Sequence, residues 1–416
     1  MDKSSQKQRV MVLGALEDEI PLVNAFKLRG YEVIVVGKGA EYPCSKVADR
    51  FYDVDIRNGD ALLDIARNEK VVAVASNVVS IAVDMTAWLA EQLELPGIGY
   101  DIAHGFTNKA LMRERAKAGG VSVPPFTWAR TREAAVAFAR ETGFPLVMKP
   151  IDGNSSKGVA RVDSVEEIEE KFEQSASFSL NDPGVIIEGF IEGKEYIVNA
   201  FSHKGECINT DVAYKEHFKL KDKFVSKAVV IKDAPHCNTP IEKKLLETHK
   251  KTVEVLGLPY GPTHGEYILC PKDNKAYLVE VAARGGGIRL SSDMIPLATG
   301  IDISELIADY SLGNQSFQRE RLGIKEGAAA WFAFSLKQGR ITGIFGVEAC
   351  LKMEGVHFID TMGLVIGDKT RILENDSGKY GPIIVYGKSR QECYQIFEKV
   401  KQKLVVEVDG KPGIIW

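Results

Sequence analysis

The stretch that decides the reading is Gly261-Pro262-Thr263-His264-Gly265-Glu266-Tyr267-Ile268, followed by Ala276-Tyr277-Leu278-Val279-Glu280-Val281-Ala282-Ala283-Arg284-Gly285-Gly286-Gly287. Two apolar runs, each carrying one glutamate, flank the turn-forming Lys272-Asp273-Asn274-Lys275. Neighbouring strands can bring Glu266 and Glu280 onto one sheet face. Two inward carboxylates with no cation between them repel, so the pair asks for a metal. Oxygen donors that leave room for waters and phosphate oxygens suit magnesium. Arg284, with three glycines behind it, supplies a fixed planar cation for an anionic reacting group.

Upstream, Val147-Met148-Lys149-Pro150 reads as a strand end carrying one lysine, and Gly158–Val162 as the returning arm of a hairpin. The connecting loop is small, polar and bounded by glycines, with Ser155, Ser156 and Lys157 in it. Its backbone N–H groups can turn toward an anion that Lys149 meets from the strand. Farther on, Val185–Glu188 is a β-run ending in a carboxylate; Phe190 and Ile191 form a short apolar link, and Glu195 opens a new strand. The backbone of such a link fits an adenine edge, and a carboxylate just beyond it accepts from ribose hydroxyls. Taken singly, each piece also fits a plain surface turn. Nothing matches GxxxxGK[ST], so phosphates cannot be held by a P-loop.

The first hundred residues alternate apolar runs (Val10–Ala15, Tyr31–Val36, Val71–Ala75) with helical patterns (Glu17–Arg29, Ala61–Asn68, Val78–Leu95). This predicts parallel strands covered on both faces. There is no GxGxxG, and Glu17-Asp18-Glu19 at the first helix start would repel a pyrophosphate, so the layer is expected to be scaffold. Between the pieces, Tyr214–Pro240 is rich in lysine, with Phe218 and Phe224 among the cations; a solvated hairpin or loop is the plain expectation. At the other end, Ala328–Phe334, Arg340–Phe345, Lys352–Ile359 and Ile383–Gly387 suggest an antiparallel layer. Ser389–Leu404 reads as an amphipathic helix with Cys393, Ile396, Phe397, Val400 and Leu404 on one stripe.

Composition narrows the classes. The 416 residues are 45% hydrophobic and 26% charged, with a net charge of −4. That argues against disorder, and against a nucleic-acid or membrane partner. The six cysteines include no CxxC pair, so reduced thiols and a cytoplasmic location are expected.

The order of the pieces is more specific than any one of them: helix lysine, strand lysine, glycine loop, Glu-x6-Glu hairpin, paired carboxylates, arginine. It resembles the ATP-grasp superfamily of carboxylate–amine (or thiol) ligases over roughly residues 8–400. Glu280–Arg284, with His264 two residues before Glu266, looks most like the L-amino acid (dipeptide) ligase branch. The resemblance implies an α/β chain with the ATP-grasp fold. A parallel α/β preATP-grasp domain would cover 1–107, and the two-lobed ATP-grasp domain 108–325, its mobile lid at about 122–193. A C-terminal α+β lobe would cover 326–416 and either shape the substrate pocket or make a homodimer contact.

The resemblance also implies residue roles. Lys109, in Thr107-Asn108-Lys109-Ala110, and Lys149 would hold phosphates, and the 153–158 loop with Ser155, Ser156 and Lys157 would close over them. Glu188, Phe190 and Ile191 would lie at the adenine and Glu195 at the ribose. Glu266 and Glu280 would bind magnesium, with manganese able to substitute. Lys149 and Arg284 would be catalytic, while His264, Gly286 and Arg289 would touch substrate. One position departs from the pattern: where most members carry an asparagine ligand to a second magnesium, this chain has Ala282, so one ion or two remain open. The implied reaction joins a small carboxylic acid, an amino acid by preference, to an amine through an acyl phosphate. Activation of bicarbonate, and ATP binding without catalysis, are the alternatives.

Overall fold

The computed structural model describes residues 7–39, 41–151, 157–179, 183–220, 224–234, 239–313 and 325–416. It opens with a parallel sheet of β1 (Arg9–Leu13), β2 (Glu32–Gly37), β3 (Arg50–Asp53) and β4 (Val71–Ala75), in the order β3-β2-β1-β4. Alternation explains why these strands are apolar throughout. Val10, Val12, Val33 and Val35 pack into one core cluster, and Met11, Leu13, Ile34 and Val36 into another on the opposite face. The half-exposed Arg50-Phe51-Tyr52-Asp53 run has no apolar pattern, so the sequence predicted three strands here and not four. The expected Glu17–Arg29 helix is split, with a 3-10 turn at Glu17–Glu19 preceding a helix at Ile20–Leu28. The expected Val78–Leu95 helix spans only Ala82–Gln92, leaving the turn before it to dock on Glu19.

A second sheet follows, built from β5 (Phe126–Ala129), β6 (Leu146–Pro150), β7 (Ala160–Val162) and β8 (Val185–Gly189) in the order β5-β8-β6-β7. β6 and β7 pair antiparallel, as the hairpin reading required. The chain then builds β9 (Lys194–His203), β10 (Glu206–His217), β11 (Ser226–Ala234), β12 (Tyr260–Cys270), β13 (Lys275–Ala282), β14 (Gly327–Leu336), β15 (Ile341–Phe345), β16 (Val356–Ile359), β17 (Tyr380–Gly387), β18 (Val405–Val408), β19 (Lys411–Pro412) and β20 (Ile414–Ile415). Most of these form one nine-stranded sheet, β13-β12-β9-β10-β11-β14-β17-β16, with β20 beside β14.

Two expectations change. The Glu-x6-Glu segment is not a hairpin: β8 belongs to the second sheet and β9 to the large one, so residues 190–193 cross between them. The C-terminal runs do pair antiparallel, but not as one layer of their own: β14, β16 and β17 extend the large sheet while β15 pairs with β18. The lysine-rich segment is largely β10 and β11, paired in that same sheet. The last helix is Arg390–Lys403, capped by Ser389, and it buries the predicted stripe against β14 and β17. Among the described residues no helix is long and apolar enough to cross a membrane.

Candidate functional site

The crossing from β8 to β9 leaves a cleft of about 140 Å³ between the second and the large sheet. Its walls carry Lys109, Lys149, Lys157, Glu188, Phe190, Ile191, Glu195, Lys215, Glu266 and Glu280. It opens past Phe190 and Glu195 into a wider cavity of about 1070 Å³, rimmed by Ser389, Arg390 and Tyr394. Nine of the residues singled out in the sequence therefore face one space. Ser155 and Ser156 lie outside the described residues.

Local structure sets each side chain. Asn108 caps the Lys109–Ala118 helix by accepting from the Leu111 N–H, which fixes Lys109 in the first turn. The Lys109 N–H donates to the Ile151 carbonyl, tying that turn to the segment just after Lys149. Glu188, at the end of β8, is buried and doubly ion-paired: Arg113 Nε donates to one oxygen at 2.6 Å and Lys149 Nζ to the other at 2.6 Å. Arg113 also donates to the Val279 carbonyl, so a single buried guanidinium joins its helix, β8 and β13. Burial pushes the Glu188 carboxyl up, but Arg113 and Lys149 outweigh it and hold it at about 2. Its carboxylate is thus committed to the protein, and what the crossing offers a ligand here is its backbone and the Phe190 and Ile191 side chains. Arg113 was not foreseen, although a signal existed: with Lys109, Met112 and Ala116 it lies on the buried stripe of an otherwise polar helix.

Glu266 and Glu280 stand directly opposite one another in the β12–β13 ladder. Lys109 Nζ is 3.7 Å from Glu280. Lys215, from β10, reaches Glu195 at 2.7 Å and Glu266 at 2.9 Å, and His217 lies 3.3 Å from the other Glu195 oxygen. Burial pushes Glu266 up; Lys215 and His264 more than offset it and hold the carboxyl well below the ordinary range. The donor set fits magnesium. Cations already sit beside both carboxylates, Lys215 on Glu266 and Lys109 near Glu280, and two acidic side chains on one ladder rung match an ion completed by phosphate oxygens and water. Among the described residues no three His, Cys, Asp or Glu side chains converge on one point, so the protein alone does not build a full cage.

Arg284 lies just past β13 and is aimed by the N-terminal layer. Its Nε donates to Ser80 Oγ at 2.9 Å, and the next residue, Gly285, donates its N–H to the Asn77 carbonyl at 2.8 Å. The Asn77 and Val78 N–H groups in turn donate to the buried carboxylate of Glu19. Gly286 is packed so closely that a Cβ would come within 2.5 Å of Leu290 and 2.9 Å of His264. Arg289 does not line the cleft: it pairs with Glu17 and with Asp293, and its guanidinium stacks on Phe358 at 3.6 Å. Ser291 bonds to Asn77, and Ser292 to Asp18 and Asp293.

His264 faces Glu266 Oε1 at 3.6 Å through Nε2, and its Nδ1 lies 2.9 Å from Asn199 Oδ1. Asn199 donates to buried Asp211 at 2.8 Å, and Thr210 donates to the second Asp211 oxygen at 3.0 Å. Burial pushes the Asp211 carboxyl up to about 6, with Asn199 and Thr210 offsetting part of the effect. Between about pH 4 and pH 6 the folded chain keeps a proton that the unfolded chain has lost, so stability falls as pH rises through that window. Asp211→Asn removes the charge and keeps the shape. It is expected to be about 2–3 kcal/mol more stable than the wild type near pH 8, with the gap closing below about pH 4. Urea unfolding across that range checks it, and a gap that ignores pH would refute the burial argument.

With this geometry in place, comparison with known proteins decides the family of the central region. Residues 142–292 match the ATP-grasp domain family. This chain carries an ATP-grasp domain. The domain's match includes Lys149, Glu188, Glu195, Glu266, Glu280 and Arg284. A formate-dependent phosphoribosylglycinamide formyltransferase of Herminiimonas arsenicoxydans is 31% identical over 217 residues, 50% of this chain and 52% of that protein. The chain spans about half the length of the first curated relatives it matches. Around the ATP-grasp domain the whole architecture recurs in an L-amino acid ligase from Bacillus licheniformis, with a TM-score of 0.82, 22% identity, and coverage of 98% of this chain and 100% of that one. It recurs again in the biotin carboxylase domain of Hydrogenobacter thermophilus 2-oxoglutarate carboxylase, solved with MgADP and bicarbonate, with a TM-score of 0.73, 16% identity, and coverage of 98% and 91%.

Proposed function

We propose that the chain is an ATP-dependent carboxylate–amine ligase that joins a small carboxylic acid, preferentially an amino acid, to an amine and releases ADP and phosphate. The observation that carries the reading is the meeting of Lys109 and Lys149 with the Glu266–Glu280 pair in one cleft inside an ATP-grasp domain. In this reading the two lysines neutralise the triphosphate, and the 190–193 crossing receives the base. Arg284, steadied by Ser80, holds the acid's carboxylate against the terminal phosphorus. Attack there releases ADP, and the amine then displaces phosphate from the acyl carbon. Magnesium bound by Glu266 and Glu280 would supply Lewis-acid neutralisation of the phosphate oxygens. Positioning and fixed charge account for most of the phosphoryl step.

The preference for an amino acid rests on the recurrence of the whole architecture in an L-amino acid ligase. The test is coupled ADP release over pairs of amino acids, hydroxy acids, sugar acids, formate with glycinamide ribonucleotide, and bicarbonate. Release that needs an amino acid and an amine supports the proposal. Release with bicarbonate alone, and none with amino acids, replaces it with carboxyphosphate chemistry.

A further inference from the structure

Resting on the nucleotide-site reading above, the cleft's donor count points to how many metal ions it takes. Three carboxylates face it, from Glu195, Glu266 and Glu280. Lys215 Nζ bridges two of them, at 2.7 Å from Glu195 Oε1 and 2.9 Å from Glu266 Oε1. The other Glu195 oxygen is met by His217 Nε2 at 3.3 Å, and the same Glu266 oxygen by His264 Nε2 at 3.6 Å. On β13, the residue two positions past Glu280 shares its face, and it is Ala282, whose methyl cannot coordinate. What is left for a divalent ion is one oxygen each of Glu280, whose Oε1 lies 3.7 Å from Lys109 Nζ, and of Glu266, enough for one ion completed by nucleotide oxygens and water.

We propose that the Lys215 ammonium stands in for a second divalent cation, so that the chain binds one divalent ion per nucleotide. Lys215 spans Glu195 and Glu266 much as a bridging ion would, and a further metal at Glu266 would have to displace it. Removing the ammonium frees both carboxylates for such an ion.

The test is equilibrium dialysis of the full chain against manganese at saturating β,γ-imido ATP, reading excess manganese per chain, with the electron paramagnetic resonance signal as a second count. The wild type is expected to hold one manganese and Lys215→Met two. Two ions on the wild type, or one on a folded Lys215→Met, overturns the proposal. Should Lys215→Met not fold, Lys215→Gln takes its place and the wild-type count still decides. No nucleotide-dependent manganese on the wild type would overturn the underlying ATP reading, and this inference with it, which a count of two would not.

Discussion

Arg113→Met should lose about 3–5 kcal/mol of stability, the cost of breaking a buried ion pair by removing one partner. Arg113 is 1% exposed and donates both to Glu188 and to the Val279 carbonyl. With it gone, Glu188 keeps only Lys149, and the Val279 carbonyl loses this donor. Because Glu188 ends β8 and Val279 lies in β13, the loss should fall on the join between the two sheets that wall the cleft. Denaturant unfolding followed by tryptophan fluorescence measures it. Arg113→Met combined with Glu188→Met should recover most of the loss, since apolar replacement of a whole buried pair is often neutral. A single variant as stable as the wild type would mean the guanidinium is not the clamp described here.

Lys149→Ala should fold, because Arg113 still holds Glu188, yet turn over roughly 10²–10³-fold more slowly, about 3–4 kcal/mol of lost charge stabilisation. Lys149 Nζ is 2.6 Å from Glu188 and lines the cleft beside Lys109 and Glu280. Its charge faces where the proposed triphosphate would lie. ADP release at saturating ATP reads the effect, and circular dichroism checks the fold. Near-normal turnover would remove Lys149 from the phosphoryl step.

Much of this site was legible because its residues sit on regular strands. Two apolar runs around one turn mark Glu266 and Glu280 as neighbours, but strict alternation from the Cys270–Lys275 end would set Glu266 opposite Val279; a bulge between the Tyr267–Leu278 and Glu266–Glu280 pairs is what brings the two carboxylates together. Alternation does place Lys149 near the end of β6. What escaped was set by contacts between distant segments. Ser80 reaches Arg284 across 204 positions, and Glu19 reaches Val78 across 59, through turns that carry no local pattern. In the lysine-rich segment Lys215 and Lys227 read as equal candidates to hold a phosphate, and nothing but the alternation of Ala213, Lys215 and His217 against Tyr214 and Glu216 marks the one that turns inward. The crossing at 190–193 read as a hairpin because a strand, a short link and another strand look alike whether the partners share a sheet or not.

The buried strand β14 has a practical corollary. It is covered along its whole length and bonded on both flanks, to β11 and to β17. A gene fragment stopped just before it would expose the hydrogen-bonding edge of β11, a template for another copy to add to. Expression of the first three-quarters alone should therefore yield inclusion bodies, and a shortened version for crystallisation would have to keep the chain through β20.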